Sequence, residues 1–363
     1  MVEFVVTVPP GSPTWEPLYL AGGGAALGDW AAAGVPLEPW ADGTARAAVA
    51  APPGTPFLVT RGTWRGVESD GRGHARPPRV VGDRDSVAVE VTGFGRDGID
   101  DHPDFRSAWL PHARTVSVSL PPGYDHDPSR RYPVLYMHDG QNLFDAATSF
   151  AGVPWAADET AEREARRGAA APLLIVGVGN SPDRLREYGP RPAGDGDDLS
   201  VAYGRFLVEE LKPFIDAKYR TAPGPESAGV AGSSMGGLIS LALARRYPEV
   251  FGRCAALSPS LWWDRELFLS EAGWPQECRV WLDTGEDEGV SRAGRLANVA
   301  RTRRLARLFT EAGLRDGRDF AYREVPGGTH NEASWGARFG DVLRFLFPAG
   351  EFPASNFPAS GVA

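Results

Sequence analysis

Cysteine is nearly missing from this chain of 363 residues: there are two, Cys254 and Cys278, each in an apolar stretch that reads as a strand. Two such thiols exclude a disulfide-stapled scaffold and a cysteine-rich metal cluster, and both are expected to be buried. Long apolar runs are missing too. No segment approaches the roughly 18 consecutive apolar residues that a membrane helix needs, so no membrane partner is expected. Positive charge is in deficit, with 38 Lys and Arg against 47 Asp and Glu and a formal net charge of −9. Affinity for nucleic acid comes from clustered cations, so no nucleic-acid partner is expected. The run Arg301, Arg303 and Arg304 reads as the solvated face of an amphipathic helix. The opening "MVEFVVTVPPGSPTW" lacks the basic and long apolar segments of a secretory leader, which predicts a cytoplasmic protein.

What is present is ordinary globular composition, 42% apolar and 23% charged, in a length that fits one large or two unequal domains. Residues 1–82 are rich in Gly, Pro and Trp. Short runs such as "EFVVTV", "PLYLAG", "ARAAVAAP" and "PFLVTRG" are separated by turn residues, which predicts a small all-β sandwich. Residues 83–109 read as a connector with a lead-in strand, "SVAVEV". From 110 to 347 apolar runs alternate with longer amphipathic segments, the pattern of an α/β domain with a doubly wound, mostly parallel sheet. Helices are predicted at about 156–167, 201–217, 236–247, 293–312 and 334–346. The tail, 348–363, repeats a Phe-Pro-Ala unit and is expected to be loosely held.

The stretch "VAGSSMGGL" (230–238) carries the chemistry. The pattern G-x-S-x-G fits in one register, Gly232, Ser233, Ser234, Met235, Gly236, so Ser234 and not Ser233 is the candidate nucleophile. A strand precedes it and a helix follows, the setting of a nucleophile elbow, whose flanking glycines avoid Cβ clashes. A serine needs a base at neutral pH. Of six histidines, only His330, in "VPGGTHNEASW", follows a late strand and precedes the last helix; His74, His102, His112 and His126 read as surface or internally satisfied groups. The histidine in turn needs a carboxylate lying between the two in chain order. The segment "RVWLDTGEDEGV" offers Asp283, Glu286, Asp287 and Glu288, of which Glu288 is the first choice and Asp287 the alternative. Donors for an oxyanion are expected from the backbone N–H groups of Met235 and Gln141, with Gly140 allowing close approach. No metal or organic cofactor is expected.

Taken together, "LPPGYDHDPSRRYPVLYMHDGQNLFD", "NSPDRLREYGP", "AGSSMGGLISLALARRYPEVFG", "LSPSLWWD", "LDTGEDEG" and "GGTHNEASW" resemble the putative esterase family of α/β-hydrolases. That family includes enterochelin, feruloyl and acetylxylan esterases and esterase D. The resemblance implies an α/β-hydrolase fold, a nucleophile at Ser234, a base at His330 and an acid at Glu288, where many members carry Asp. It also implies a substrate-binding wall including Asn142, Arg184, Glu187, Tyr188, Trp262 and Trp263. The first domain resembles a starch-binding (family 20) carbohydrate-binding module through "LYLAGGGAALGDW", which implies sugar stacking on Trp30 and Trp64. The usual Trp-Glu pair of that module is here Val67-Glu68, and a cap over the esterase is the alternative role. The expected function is therefore a serine carboxylic-ester hydrolase acting on a bulky siderophore-type, aromatic or sugar-linked ester. The partners expected are a small-molecule or glycan-linked ester substrate and glucan weakly held by the first domain. Two alternatives are a carbohydrate-binding protein on a retired hydrolase scaffold and an acyltransferase using the same residues.

Overall fold

The computed structural model describes residues 1–9, 17–62, 66–69, 76–94, 98–121, 124, 129–190, 199–263, 267–270 and 274–352. The chain divides into two compact units, Met1–Ile99 and Asp100–Ala363.

In the first unit β1 (Val2–Thr7), β2 (Leu18–Gly22), β3 (Val35–Pro39), β4 (Thr44–Val49), β5 (Pro56–Thr60), β6 (Arg79–Val80) and β7 (Ser86–Glu90) form one sheet in the order β6-β5-β2-β3-β4-β1-β7. Strand β1 alternates, with Val2, Phe4 and Val6 buried, as expected of a strand with one face on a core. Phe4 meets Phe57 edge to face at 5.1 Å. The segment "SVAVEV" is not a lead-in to the second domain. As β7 it pairs in parallel with β1 and buries Val89 and Val91 in the first core, so the boundary moves from residue 82 to 99.

The second sheet comprises β8 (Ile99–Phe105), β9 (Arg114–Ser119), β10 (Val134–His138), β11 (Leu174–Val178), β12 (Ala228–Ser233), β13 (Arg253–Leu257), β14 (Arg279–Gly285) and β15 (Phe320–Val325), in the order β15-β14-β13-β12-β10-β11-β9-β8. Strands β10 to β15 are mutually parallel, while β9 runs antiparallel to β11. Strand β8, "IDDHPDF", lies in the predicted connector; its Pro103 and acidic residues fit an edge position, where one side of the strand has no ladder to complete. Strands β10, β11 and β12 are buried at every position, because helices cover both faces. The helices are α1 (Ala157–Arg166), α2 (Arg184–Tyr188), α3 (Leu199–Arg205), α4 (Lys212–Lys218), α5 (Met235–Arg246), α6 (Leu267–Ser270), α7 (Arg292–Glu311) and α8 (Glu332–Leu346), with a π-helical segment joining α3 to α4.

Cys254 and Cys278 are buried free thiols, and burial pushes Cys278 up to about 12. The start of the predicted tail is held: Glu351 pairs with Arg253 at 2.7 Å and with Arg279 at 2.5 Å. Residues 353–363 lie outside the described residues. Among the described residues no helix is long and apolar enough to cross a membrane.

Candidate active site

Strand β12 ends at Ser233 and α5 begins at Met235, leaving Ser234 alone to make the turn on positive-φ backbone, φ 56° and ψ −122°. A non-glycine residue with positive φ is costly, and such strain persists only where the surroundings impose it. Here the surroundings are explicit. The Ser234 N–H donates to the Leu257 carbonyl at 3.0 Å, and its own carbonyl accepts from the Ser260 N–H at 3.0 Å. A Cβ on Gly232 would stand 2.7 Å from the carbonyl carbon of Gly236, so only glycine lets strand and helix come this close.

His330 enters from the loop between β15 and α8. The following residue, Asn331, caps α8 by accepting from the Ser334 N–H at 3.0 Å, while Ser334 Oγ accepts from the Thr329 N–H at 3.1 Å. These two bonds bracket the histidine. Its Nε2 lies 3.0 Å from Ser234 Oγ and its Nδ1 3.2 Å from Glu288 Oε2, and its ring stands edge-on to Trp335 with centroids 4.9 Å apart.

Of the four acidic candidates, Glu288 is the one that meets His330. Its Oε1 accepts from the Gly285 N–H at 2.8 Å and from the Ser258 hydroxyl. Burial pushes this carboxyl up, but the hydrogen bonds from His330, Ser258 and the Gly285 N–H outweigh burial and hold it below the ordinary glutamate value. Asp287 instead pairs with Arg295 at 2.7 Å on the exposed surface. Asp283 is fully buried and takes a two-point contact from Arg338, at 3.0 and 2.9 Å, plus the Trp281 indole at 2.8 Å. Burial raises Asp283 above the usual aspartate value despite these donors. Glu286 makes its structural bond through the backbone, N–H to the Val325 carbonyl at 3.0 Å.

Met235 opens α5, so its N–H is among the first-turn donors that no intrahelical carbonyl can satisfy. Gln141 lies in a short 3₁₀ turn, Gly140–Asn142, entered through Asp139 in left-handed conformation. A Cβ on Gly140 would fall 2.5 Å from the Gly177 carbonyl carbon, and one on Gly236 3.3 Å from His138 Cβ. The turn carrying Gln141 therefore stands beside the first turn of α5. Among the described residues no group of three or more His, Cys, Asp or Glu converges as a metal site.

The implied substrate wall divides. Glu187 and Tyr188 have no exposed surface and cannot line a pocket. Glu187 is held by Arg114 at 3.0 and 2.9 Å and by the Ser181 hydroxyl at 2.8 Å, and the Tyr188 hydroxyl accepts from the Asp139 N–H at 3.3 Å; both are scaffold under the loops. Asn142 is also buried, bonded to Glu332 at 3.2 Å and to the Phe150 N–H at 2.9 Å. Arg184 keeps partial exposure and grips Asp139 at 2.7 and 2.8 Å. Trp263 is half-buried and donates to the Pro190 carbonyl at 3.2 Å, whereas Trp262 is 53% exposed, two residues from Ser260, whose hydroxyl lies 3.3 Å from Ser234 Oγ. In the first unit Trp30 is 37% exposed, and Trp64 lies outside the described residues. Glu68 is buried against Arg79 at 2.8 Å, so it is closed to a sugar.

Sequence reasoning passed over Ser258, Ser260, Trp335 and Arg338. The first two stand in "LSPSLWWD", a segment visible as a motif but mute about which hydroxyl faces which group. Arg338 has no sequence signal beyond its place on an amphipathic helix.

A mostly parallel doubly wound sheet with a strained serine between its central strand and the following helix, met by a histidine from the last loop, defines the α/β-hydrolase class. Residues 107–346 match the model of the family described as Putative esterase, and the chain belongs to that family. It is similar to the uncharacterized protein YbbA of Bacillus subtilis, 28% identical over 48% of this chain and 69% of that protein. It is also similar to the ferri-bacillibactin esterase BesA of Bacillus subtilis, 27% identical over 44% of this chain and 58% of that protein. The fold is similar to the enterobactin esterase FES from Shigella flexneri, with TM-score 0.51 and 16% identity over 91% of this chain and 88% of that one.

Proposed function

We propose that this protein is a serine esterase in which Ser234, His330 and Glu288 form the reacting triad, acting on a bulky ester with an aromatic, siderophore-type acyl or alcohol group. The observation that carries this reading is the unbroken contact line from Ser234 Oγ to His330 Nε2 (3.0 Å) and from His330 Nδ1 to Glu288 Oε2 (3.2 Å), with Ser234 on strained backbone. Ser234 Oγ attacks the ester carbonyl as its proton passes to His330 Nε2. The oxyanion accepts hydrogen bonds from the N–H groups of Met235 and Gln141, each worth about 3 kcal/mol of barrier. Collapse of the tetrahedral adduct breaks the C–O bond, and His330 returns the proton to the departing alcohol. Water, deprotonated by the same nitrogen, then attacks the acyl-enzyme and releases the acid. Glu288 stays ionised throughout, fixing the Nδ1–H tautomer and offsetting the imidazolium charge.

The aromatic preference rests on the exposed Trp262, two residues beyond Ser260, whose hydroxyl lies 3.3 Å from Ser234 Oγ, and on the similarity to BesA, named a ferri-bacillibactin esterase. The test is a panel of esters of graded bulk, including catecholate, feruloyl and acetyl esters, run on the wild type and Ser234→Ala. Turnover of the aromatic esters that disappears in the variant is the expected result. Equal rates in both proteins, or no ester turned over, would overturn the proposal.

A further inference from the structure

Glutamate is a long arm for orienting a histidine, and the atoms around Glu288 indicate how it is kept still. Ser258 follows β13 directly, has left-handed backbone with φ 47°, and is 4% exposed. Its N–H is directed at the Asp283 carbonyl, 3.0 Å, and at Asp283 Oδ1, 3.2 Å. Its hydroxyl touches three groups: the Trp335 indole N–H at 3.0 Å, Arg338 Nη2 at 2.8 Å and Glu288 Oε1. A hydroxyl has one proton and two lone pairs, while indole and guanidinium can only donate. Both lone pairs are therefore spoken for, and the single proton has one destination, the carboxylate of Glu288.

We propose that Ser258 is a positioning residue for the Glu288–His330 pair, a hydroxyl whose proton is aimed at Glu288 by Trp335 and Arg338. With Oε1 tied to Ser258 and to the Gly285 N–H, the carboxylate cannot rotate, and Oε2 is presented to His330 Nδ1. Asp283 completes the device by neutralising Arg338. Arg338 Nη2 stays 3.7 Å from Glu288 Oε1, outside hydrogen-bond range, and meets the carboxylate through the serine. The left-handed backbone of Ser258 is the strain expected where a functional contact over-determines a conformation.

This rests on the esterase reading, and the experiment separates the two. Ser258→Ala removes the hydroxyl and keeps the strained backbone, whereas Ser258→Gly removes the hydroxyl and relieves it. If the hydroxyl acts through Glu288, both variants lose kcat by about tenfold to a hundredfold with KM unchanged, although their melting temperatures differ. In both, the low-field proton resonance of His330 Nδ1–H moves or broadens. In a Glu288→Gln background, Ser258→Gly adds no further loss, because the residue through which it acts is already disabled. Wild-type kcat in either Ser258 variant, an unmoved Nδ1–H resonance, or fully multiplicative losses in the double variant would overturn the inference. If those results appear while Ser234→Ala is dead, the esterase reading stands and only the role of Ser258 falls. If Ser234→Ala keeps wild-type rates, the esterase reading itself falls.

Discussion

Replacing His138 should change how the protein responds to acid, and the structure sets the size of the effect. His138 ends β10 beneath the turn carrying Gln141 and is almost wholly buried. Its Nδ1 lies 2.8 Å from the Tyr203 hydroxyl, its ring packs against those of Tyr188 and Tyr203, and Asp139 and Arg184 are its charged neighbours. Burial lowers its pKa from 6.5 to about 3; the nearby Asp139 carboxylate pulls upward and Arg184 downward, and neither cancels the burial. The folded protein therefore keeps this ring neutral between pH 6.5 and about 3, while the unfolded chain protonates it. The unfolded state binds more protons across that window, so stability falls as pH falls through it, at up to about 1.4 kcal/mol per pH unit. From about pH 7.5 to about pH 5 the loss is roughly 2 kcal/mol from this one residue. Urea unfolding of the wild type and of His138→Gln, which cannot titrate and can still bond to the Tyr203 hydroxyl, isolates the term, since all other titrating groups are shared. The variant's stability should decline less steeply with acid by that amount, whatever its absolute stability at neutral pH. Parallel curves for the two proteins would show that His138 protonates as readily folded as unfolded, and the burial argument would be wrong.

Three further outcomes follow from the contacts at the site. Glu288→Gln, which removes the charge and keeps the shape, should lower kcat by about 10³- to 10⁴-fold, whereas Asp287→Asn on the exposed surface should leave steady-state rates within about twofold; equal effects would mean the acid has been misplaced. Gly232→Ala puts a Cβ 2.7 Å from backbone that has no room to yield, so thermal denaturation should show a loss of about 2 kcal/mol or more, with activity falling alongside. Trp262→Ala should leave the melting temperature unchanged and raise KM for aromatic esters by about tenfold relative to acetyl esters, in line with about 1 kcal/mol of ring stacking; an equal change for both substrates would remove Trp262 from the binding surface.

The elbow was legible because its chemistry is local. Gly232 and Gly236, on either side of Ser234, meet each other within one turn, and a sequence pattern can carry that. The alternation of β7 was equally clear, but a strand's pattern says only that one face is covered. That β7 pairs with β1, some eighty residues earlier, and not with the second sheet is a long-range choice that periodicity cannot express. The same limit explains Glu187 and Tyr188. They sit in a motif that the family resemblance ties to the substrate wall, yet the partner that buries Glu187 is Arg114 on β9, an ion pair that no spacing rule predicts. Strand β8 was hidden because Pro103 and three aspartates contradict strand propensity, a contradiction that an edge position tolerates.

The reason Glu288, and not Asp283, faces His330 lies in strand order. Strands β12, β13, β14 and β15 are neighbours and parallel, so the loops at their carboxyl ends, carrying Ser234, Ser258, Glu288 and His330, emerge side by side along one edge. Asp283 is still within β14, beneath that edge, where α8 covers it and Arg338 neutralises it. The carboxylate for His330 must come from the turn above, and the chain makes room for that turn through glycines: a Cβ on Gly285 would collide with the Gly328 carbonyl, and one on Gly328 would lie 2.9 Å from Gly285 Cα. From this turn a glutamate spans the distance to Nδ1 while keeping its second oxygen in reach of Ser258 and the Gly285 N–H. An aspartate at the same backbone position is one methylene short, about 1.5 Å, and could satisfy the histidine or the two donors but not both at once. Glu288→Asp should therefore fold normally and lose roughly a hundredfold in kcat, a geometric penalty that is smaller than the loss of charge in Glu288→Gln. If the aspartate variant matched the wild type, the two-sided restraint on this carboxylate would not be what aligns the histidine.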